Sequence, residues 1–161
     1  MDRFDERILQ ELKLDGRISN IELSERIGLS ASATLRRVQD LERKGIIQGY
    51  RAVLDNGLMG VGFIAYVSIG LSSHKKSAQL EFEEHVAMEK EVVECHNITG
   101  ANEYLLRVET KDLPSYKKFH ADVLGECAQV QSITTMVVMD TPKDCLLYTS
   151  DAADDSCCVD L

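Results

Sequence analysis

The stretch from Gly16 to Tyr50 constrains the chain most, because its punctuation admits little besides two short helices around a tight turn and a glycine-bounded exit. Ser19-Asn20-Ile21-Glu22 has the form of a capping box, in which the Ser hydroxyl and the Glu carboxylate satisfy each other's orphan amides, and it predicts a helix from about Asn20. Leu23 and Ile27 fall four apart on one face, and Gly28 can take the positive φ that ends a helix sharply. Beyond the turn Gly28-Leu29-Ser30, Ser30 is a good N-cap for a further helix. There Leu35, Val38 and Leu41 recur every three residues as the expected buried stripe, Arg36, Arg37, Gln39 and Arg43 lie off it, and Gly45 closes the helix.

Two helices joined by so short a turn, the second opened by small polar residues, fit the helix-turn-helix pattern, whose second helix enters the major groove of DNA by its N-terminal end. Ser30, Ser32 and Thr34 occupy that end, where hydroxyls can bond phosphate or base edge, and Ala31 and Ala33 let the backbone come close. Arg36 or Arg37 can fork onto a guanine or clamp phosphates, and Arg43 and Lys44 extend the basic face. The expected DNA contacts are therefore Ser30, Ser32, Thr34, Arg36, Arg37, Arg43 and Lys44. A basic helix face that is merely solvated is the plain alternative, and the capping and turn context weighs against it.

Upstream, Asp2 to Leu14 reads as a first helix with Phe4, Ile8, Leu9 and Leu12 on one face and Asp2 and Asp5 near its positive end. Three helices in about fifty residues bury little, so the head should lean on a second domain or another subunit. The chain of 161 residues is 44% hydrophobic and 28% charged, which suits one or two small globular domains. Its longest apolar run, Val61 to Leu71, is broken by Gly62, Ser68 and Gly70 and is far shorter than a bilayer requires; the start Met1-Asp2-Arg3-Phe4-Asp5 lacks a signal-peptide core, and a cytoplasmic location is expected. The net charge of −9 lies wholly in the second part, since residues 1–56 hold ten Lys or Arg and ten Asp or Glu, and residues 57–161 hold eight and seventeen. The head is neutral but polarised, which argues for modest affinity per head and for several heads acting together.

From Gly60 the pattern becomes alternating or continuously apolar. Gly62 to Ile69 reads as a strand, Lys75 to Lys90 as a helix, Glu91 to Thr99 as a strand, Gly100-Ala101-Asn102 as a turn, and Glu103 to Thr110 as its hairpin partner with Tyr104, Leu106 and Val108 on one face. Asp112-Leu113-Pro114 opens a helix running to about Gly125, and Gln131 to Asp140 is a last strand. The order predicts an α+β chain: a three-helix helix-turn-helix head followed by a ferredoxin-like βαββαβ domain, a four-stranded antiparallel sheet with both helices on one face. The other face needs a cover, which points to a homo-oligomer, at least a dimer.

Gly16-Arg17-Ile18-Ser19-Asn20, Leu23-Ser24, Gly28-Leu29-Ser30, Arg36-Arg37-Val38, Leu41-Glu42, Gly45-Ile46-Ile47, Gly49-Tyr50, Glu94-Cys95-His96, Thr99-Gly100, Glu103-Tyr104-Leu105-Leu106 and Val137-Val138-Met139 together resemble the leucine-responsive, or Lrp/AsnC, family of prokaryotic transcriptional regulators over about residues 2–143. The resemblance implies a DNA-binding head at 1–49, a linker at 50–60 with a strand around Tyr50 to Leu54, and an effector-binding and oligomerisation domain at 61–143 that dimerises and often assembles into octamers. Double-stranded DNA and an amino-acid-like small molecule bound between subunits are the implied partners. The effector loop would comprise Thr99, Gly100, Ala101, Asn102, Glu103 and Tyr104.

Two departures bear on this. Ala31 stands where many members have proline after the turn serine, and a proline there would only preset the first helical turn. The loop commonly runs Gly-Asp-x-Asp-Tyr, whereas here it is Gly100-Ala101-Asn102-Glu103-Tyr104. If the first Asp holds an effector's ammonium group, Ala101 removes that partner and weakens the case for leucine itself, leaving Glu103 as the alternative. Without the resemblance the loop would read as a simple hairpin turn.

Metal and catalytic readings find little. Cys95 and His96 are adjacent on a predicted strand and point to opposite faces, and His74, His85 and His120 lack an obvious nucleophile or orienting group. No metal site, cofactor or enzymatic activity is expected. The rivals are a tetrapyrrole decarboxylase, since some relatives of this fold keep a degenerate head, and an architectural DNA-compacting protein without an effector. Residues 144–161, with Cys145, Cys157 and Cys158 among acidic residues, match neither the period of a helix nor that of a strand and read as foreign flanking sequence; a vicinal-thiol sensor is the weaker alternative, because such thiols need an electropositive setting.

Overall fold

The computed structural model describes residues 1–143, so the expectations for the tail lie outside the described residues. The chain divides into two compact units, Met1–Val53 and Leu54–Pro142, each treated by itself.

The first unit holds α1 (Arg3–Leu14), α2 (Asn20–Ile27) and α3 (Ala31–Arg43). Each begins on a polar cap. Asp2 accepts the Phe4 and Asp5 amides while the Asp5 side chain accepts the Asp2 amide, a reciprocal capping box. At α2 only half of the expected box forms: the Ser19 hydroxyl accepts the Glu22 amide at 3.1 Å, but the Glu22 carboxylate turns to Arg26 one turn on, at 2.6 Å. Ser30 accepts the Ala33 amide at the start of α3. Gly28 ends α2 at φ 76°, in the left-handed region that favours glycine. The three helices meet on Ile8, Leu23, Ile27 and Leu41, with Leu9, Leu12, Ile18, Leu29, Val38 and Ile47 packed around them.

The stripe that α3 buries differs from the expected one. Thr34 is fully buried, with Leu41 and the partly buried Val38, whereas Leu35 is 46% exposed. The true spacing is four and then three, which follows the 3.6-residue turn more closely than three and three. A threonine can sit there because its hydroxyl donates to the Ser30 carbonyl at 3.1 Å.

The second unit is βαββαβ: β1 (Phe63–Leu71), α4 (Lys76–Ala87), β2 (Val92–Asn97), β3 (Tyr104–Thr110), α5 (Leu113–Phe119) with a π-helical continuation at His120–Leu124, and β4 (Val130–Val137). Every pairing is antiparallel in the order β2-β3-β1-β4, the ferredoxin-like arrangement expected from the sequence. Alternation sends Ala65, Val67, Ile69, Leu71, Tyr104, Leu106 and Val108 to one face, where they bury Phe82 and Val86 of α4 and Tyr116 and Phe119 of α5. Tyr116 is fixed by its hydroxyl, 2.6 Å from that of Thr135 on β4. Asp112 caps α5 through the Ser115 amide at 2.8 Å, and Pro114 sits in the first turn as expected.

Residues 50–54 carry neither helix nor strand in the single chain, and the next residues form turns up to Gly60. The linking strand expected around Tyr50 to Leu54 thus does not form here; a strand exists only through a ladder partner, and no described strand pairs with this segment.

Candidate functional site

In the head, the N-terminal half of α3 presents one exposed face made by Ala31, Ser32, Leu35, Arg36 and Gln39, with Arg43 a turn beyond. Three local devices hold that face outward. Thr34 is anchored beneath it, Gly28 turns the chain, and the Asn20 amide on α2 donates to the Ala31 carbonyl at 2.8 Å, tying the two helices at the turn. Ser30 and Ser32 lie at its mouth with their hydroxyls 3.3 Å apart.

The cations expected to meet DNA are not equivalent. Arg36 is exposed and has no side-chain hydrogen bond or ion pair among the described residues. Arg37 places Nη1 at 2.6 Å from Asp5 and 2.9 Å from Asp2, with its guanidinium 5.5 Å from the centre of the Phe4 ring. Its hydrogen bond to Asp5, then that to Asp2, raises an already high pKa, so it is permanently charged. Arg43 and Lys44 both pair with Asp40, Lys44 at 2.5 Å, and these contacts, that of Lys44 first, hold the Asp40 carboxyl below its ordinary range. Such exposed pairs contribute little to stability and yield readily to a phosphate.

The structure thus brings Ser30, Ser32 and Arg36 to one exposed face, keeps Arg43 and Lys44 at its far end, and removes Thr34 into the core. Leu35 on that face, and Asn20 and Asp5 as its supports, were missed by sequence reasoning. The four-three spacing of Thr34, Val38 and Leu41 could have exposed Leu35, whereas the partners of Asn20 and Arg37 lie too far along the chain to be read locally.

In the second unit the loop between β2 and β3 leaves Thr99, Gly100 and Ala101 exposed. Asn102 is engaged: its amide nitrogen donates to Ser68 Oγ at 2.8 Å and its oxygen accepts from Ser132 Oγ at 3.2 Å, bridging β1 and β4. The gap that admits it depends on Gly70, since a Cβ there would run into Ser132 Oγ and Asn102 Oδ1. Glu103 accepts the Leu71 amide at 2.7 Å through Oε2 and lies 2.9 Å from His74 Nδ1 through Oε1. Tyr104, expected as an effector contact, is 1% exposed and packs on Phe82 with ring centres 4.8 Å apart. Alternation turns it to the helix-covered face, away from the loop tip. Its hydroxyl donates to Glu83 at 2.6 Å, and burial first, then this carboxylate, pushes its pKa to about 12.

Cys95 and His96 diverge as alternation requires: Cys95 pairs in register with Leu106 of the helix-covered face, and His96 pairs with Glu94, 3.2 Å away on the open one. Among the described residues no three His, Cys, Asp or Glu converge to hold a metal ion, and no helix is long and apolar enough to cross a membrane.

A helix-turn-helix head and a separate ferredoxin-like unit define a two-part DNA-binding protein with a sensor domain. Residues 1–48 match the winged helix-turn-helix DNA-binding model, although the described head contains no strand, and residues 64–146 match the Lrp/AsnC ligand binding domain. The chain is 40% identical over 144 residues to the proline dehydrogenase transcriptional activator of Rhizobium radiobacter, covering 89% of this chain and 92% of that one. It is 39% identical to the leucine-responsive regulatory protein of Escherichia coli K12 over 89% of this chain and 87% of that one. A transcriptional regulator of Neisseria meningitidis, solved as a complex with L-methionine, superposes with a TM-score of 0.86 at 34% identity, covering 89% of this chain and 93% of that one. The chain belongs to the Lrp/AsnC family of transcriptional regulators.

Proposed function

We propose that the protein binds double-stranded DNA through Ser30, Ser32, Leu35 and Arg36 and couples that binding to an amino-acid-like effector held by the β2–β3 loop. The observation that carries this is the exposed face of α3, where Arg36 stands uncommitted beside two hydroxyls and an apolar side chain. Arginine suits guanine or phosphate, leucine suits a thymine methyl, and serine suits either base or backbone. Arg43 and Lys44 add phosphate contacts once released from Asp40.

The effector reading is supported by the family's ligand-binding domain and by the methionine held by the Neisseria regulator. In this chain the loop offers no carboxylate at its tip, because Ala101 has none and both oxygens of Glu103 are engaged. An amino acid would meet exposed backbone amides at 99–101 with its carboxylate, and its ammonium would have to displace His74 from Glu103. This favours a site completed by a second subunit.

Tyr66, 37% exposed, and Met136, 47% exposed, are paired across β1 and β4 on the open sheet face. Covered by a second copy, that face gives a dimer that sets the spacing of two heads, and further assembly gives an octamer. Effector and DNA are then linked through assembly, each altering affinity for the other by the same factor. No catalysis is required, and the setting is the bacterial cytoplasm.

Fluorescence anisotropy on the protein's own upstream region and on scrambled DNA, with and without a pool of amino acids, tests the proposal. Specific binding that the pool changes is expected; equal binding to both duplexes with no response to the pool would overturn it in favour of an architectural role.

A further inference from the structure

Arg37 lies on the helix assigned to DNA, yet its cation is already bound within the head. The two carboxylates that hold it are not free side chains: Asp2 accepts the Phe4 and Asp5 amides at 2.9 and 3.0 Å, and Asp5 accepts the Asp2 amide at 3.1 Å. The first turn of α1 therefore presents a preset pair of acceptors, and Arg37 closes on both from α3. The Asp5 arm of the contact is sheltered, with the Arg37 side chain 28% and the Asp5 side chain 17% exposed and the guanidinium over the Phe4 ring, whereas the Asp2 side chain, 52% exposed, closes it from the solvent side. Elsewhere α1 and α3 meet through aliphatic side chains such as Ile8 and Leu41, which pack well at several registers. An ionic clamp of fixed geometry selects one of them.

We propose that Arg37 is a positioning residue, a strut that fixes the recognition helix against the N-terminal turn of α1 through Asp5 and Asp2 and takes no part in contacting DNA. The proposal rests on α3 being the recognition helix. It assigns Asp2 and Asp5 to the DNA-binding machinery despite their negative charge, and it makes the N-terminal turn of the chain a determinant of sequence preference.

The test is duplex binding by the full chain, on the protein's own upstream region and on scrambled DNA, across a salt series, for wild type, Arg37→Ala, Arg37→Lys, Asp5→Asn and Arg36→Ala. Thermal melts in parallel define a temperature at which every variant is folded. Arg37→Ala and Asp5→Asn are expected to lower the preference for the specific duplex alike, by about tenfold, the scale of one lost base contact. Their salt slopes should equal that of wild type, and Arg37→Lys should retain part of the preference through one carboxylate. A slope reduced by about one in Arg37→Ala, with tighter and more salt-sensitive binding by Asp5→Asn, would make Arg37 a direct phosphate contact and overturn the proposal. Lowered melting temperatures with unchanged preference would overturn it too, leaving a purely structural pair. If Arg36→Ala also leaves affinity, slope and preference untouched, the assignment of α3 itself fails.

Discussion

The Glu103 carboxylate closes the end of β1 by accepting the Leu71 amide at 2.7 Å, where the β1–β4 register shifts between Gly70 and Leu71. Leu71 is 4% exposed, so its N–H has little access to water if the carboxylate is lost. Glu103→Ala should therefore destabilise the second unit by about 1–3 kcal/mol, the cost of an unsatisfied buried donor. Glu103→Gln keeps an acceptor and should cost well under half as much. Equal losses in urea denaturation would assign the stabilisation to charge with His74 instead.

Tyr104 is expected to titrate well above the ordinary tyrosine range. Its folded pKa of about 12 lies above the ordinary value of 10, so its contribution to stability is complete below pH 10 and is lost as pH rises toward 12. Phenolate absorbance of the folded protein should show a component lagging into that window, absent in Tyr104→Phe. The substitution should also cost about 1 kcal/mol through the lost bond to Glu83. A single tyrosine transition near pH 10 would contradict the buried, bonded hydroxyl.

Gly28 takes φ 76°, and a Cβ built there meets nothing within 4 Å. Any cost of substitution is then conformational. Gly28→Ala should destabilise the head by about 1–2 kcal/mol, and Gly28→Asn by less, because asparagine visits the left-handed region more easily. Thermal melts that rank Asn below Ala would contradict this geometry.

The proposed dimer face gives a further outcome. Met136→Glu places a charge opposite Tyr66, on a face that is solvated in a monomer and buried in a dimer. Sedimentation should show a shift toward monomer, with the melting temperature of the isolated chain little changed. An unaltered oligomer would move the interface off this face.

Much of this was legible because it was local. Caps at Ser19, Ser30 and Asp112, the turn at Gly28 and the alternation of Tyr104, Leu106 and Val108 are fixed by neighbours within a few residues, and they gave the helices, strands and their order. The failures come from competing partners and patterns, some local and some distant. Glu22 had two possible partners, the Ser19 amide and Arg26, and the charged one won. Arg37 looked free because Asp2 and Asp5 lie more than thirty residues upstream. Tyr104 looked like a ligand contact because the loop motif carried it, whereas alternation along β3 had already assigned it to the core with Leu106 and Val108. Segment 50–54 looked like a strand by resemblance, but no described strand of the chain offers it a ladder partner.

The central claim is that Arg36, on the exposed face of α3, meets nucleic acid. The most direct measurement is the salt dependence of duplex binding for wild type and Arg36→Ala. Weaker binding with the slope of log affinity against log salt reduced by about 0.9, one phosphate's worth of released counterion, is the expected result for a backbone contact. A reduced preference for the specific duplex at unchanged slope would place the same side chain on a base edge and leave the claim intact. Unchanged affinity, slope and preference would contradict it.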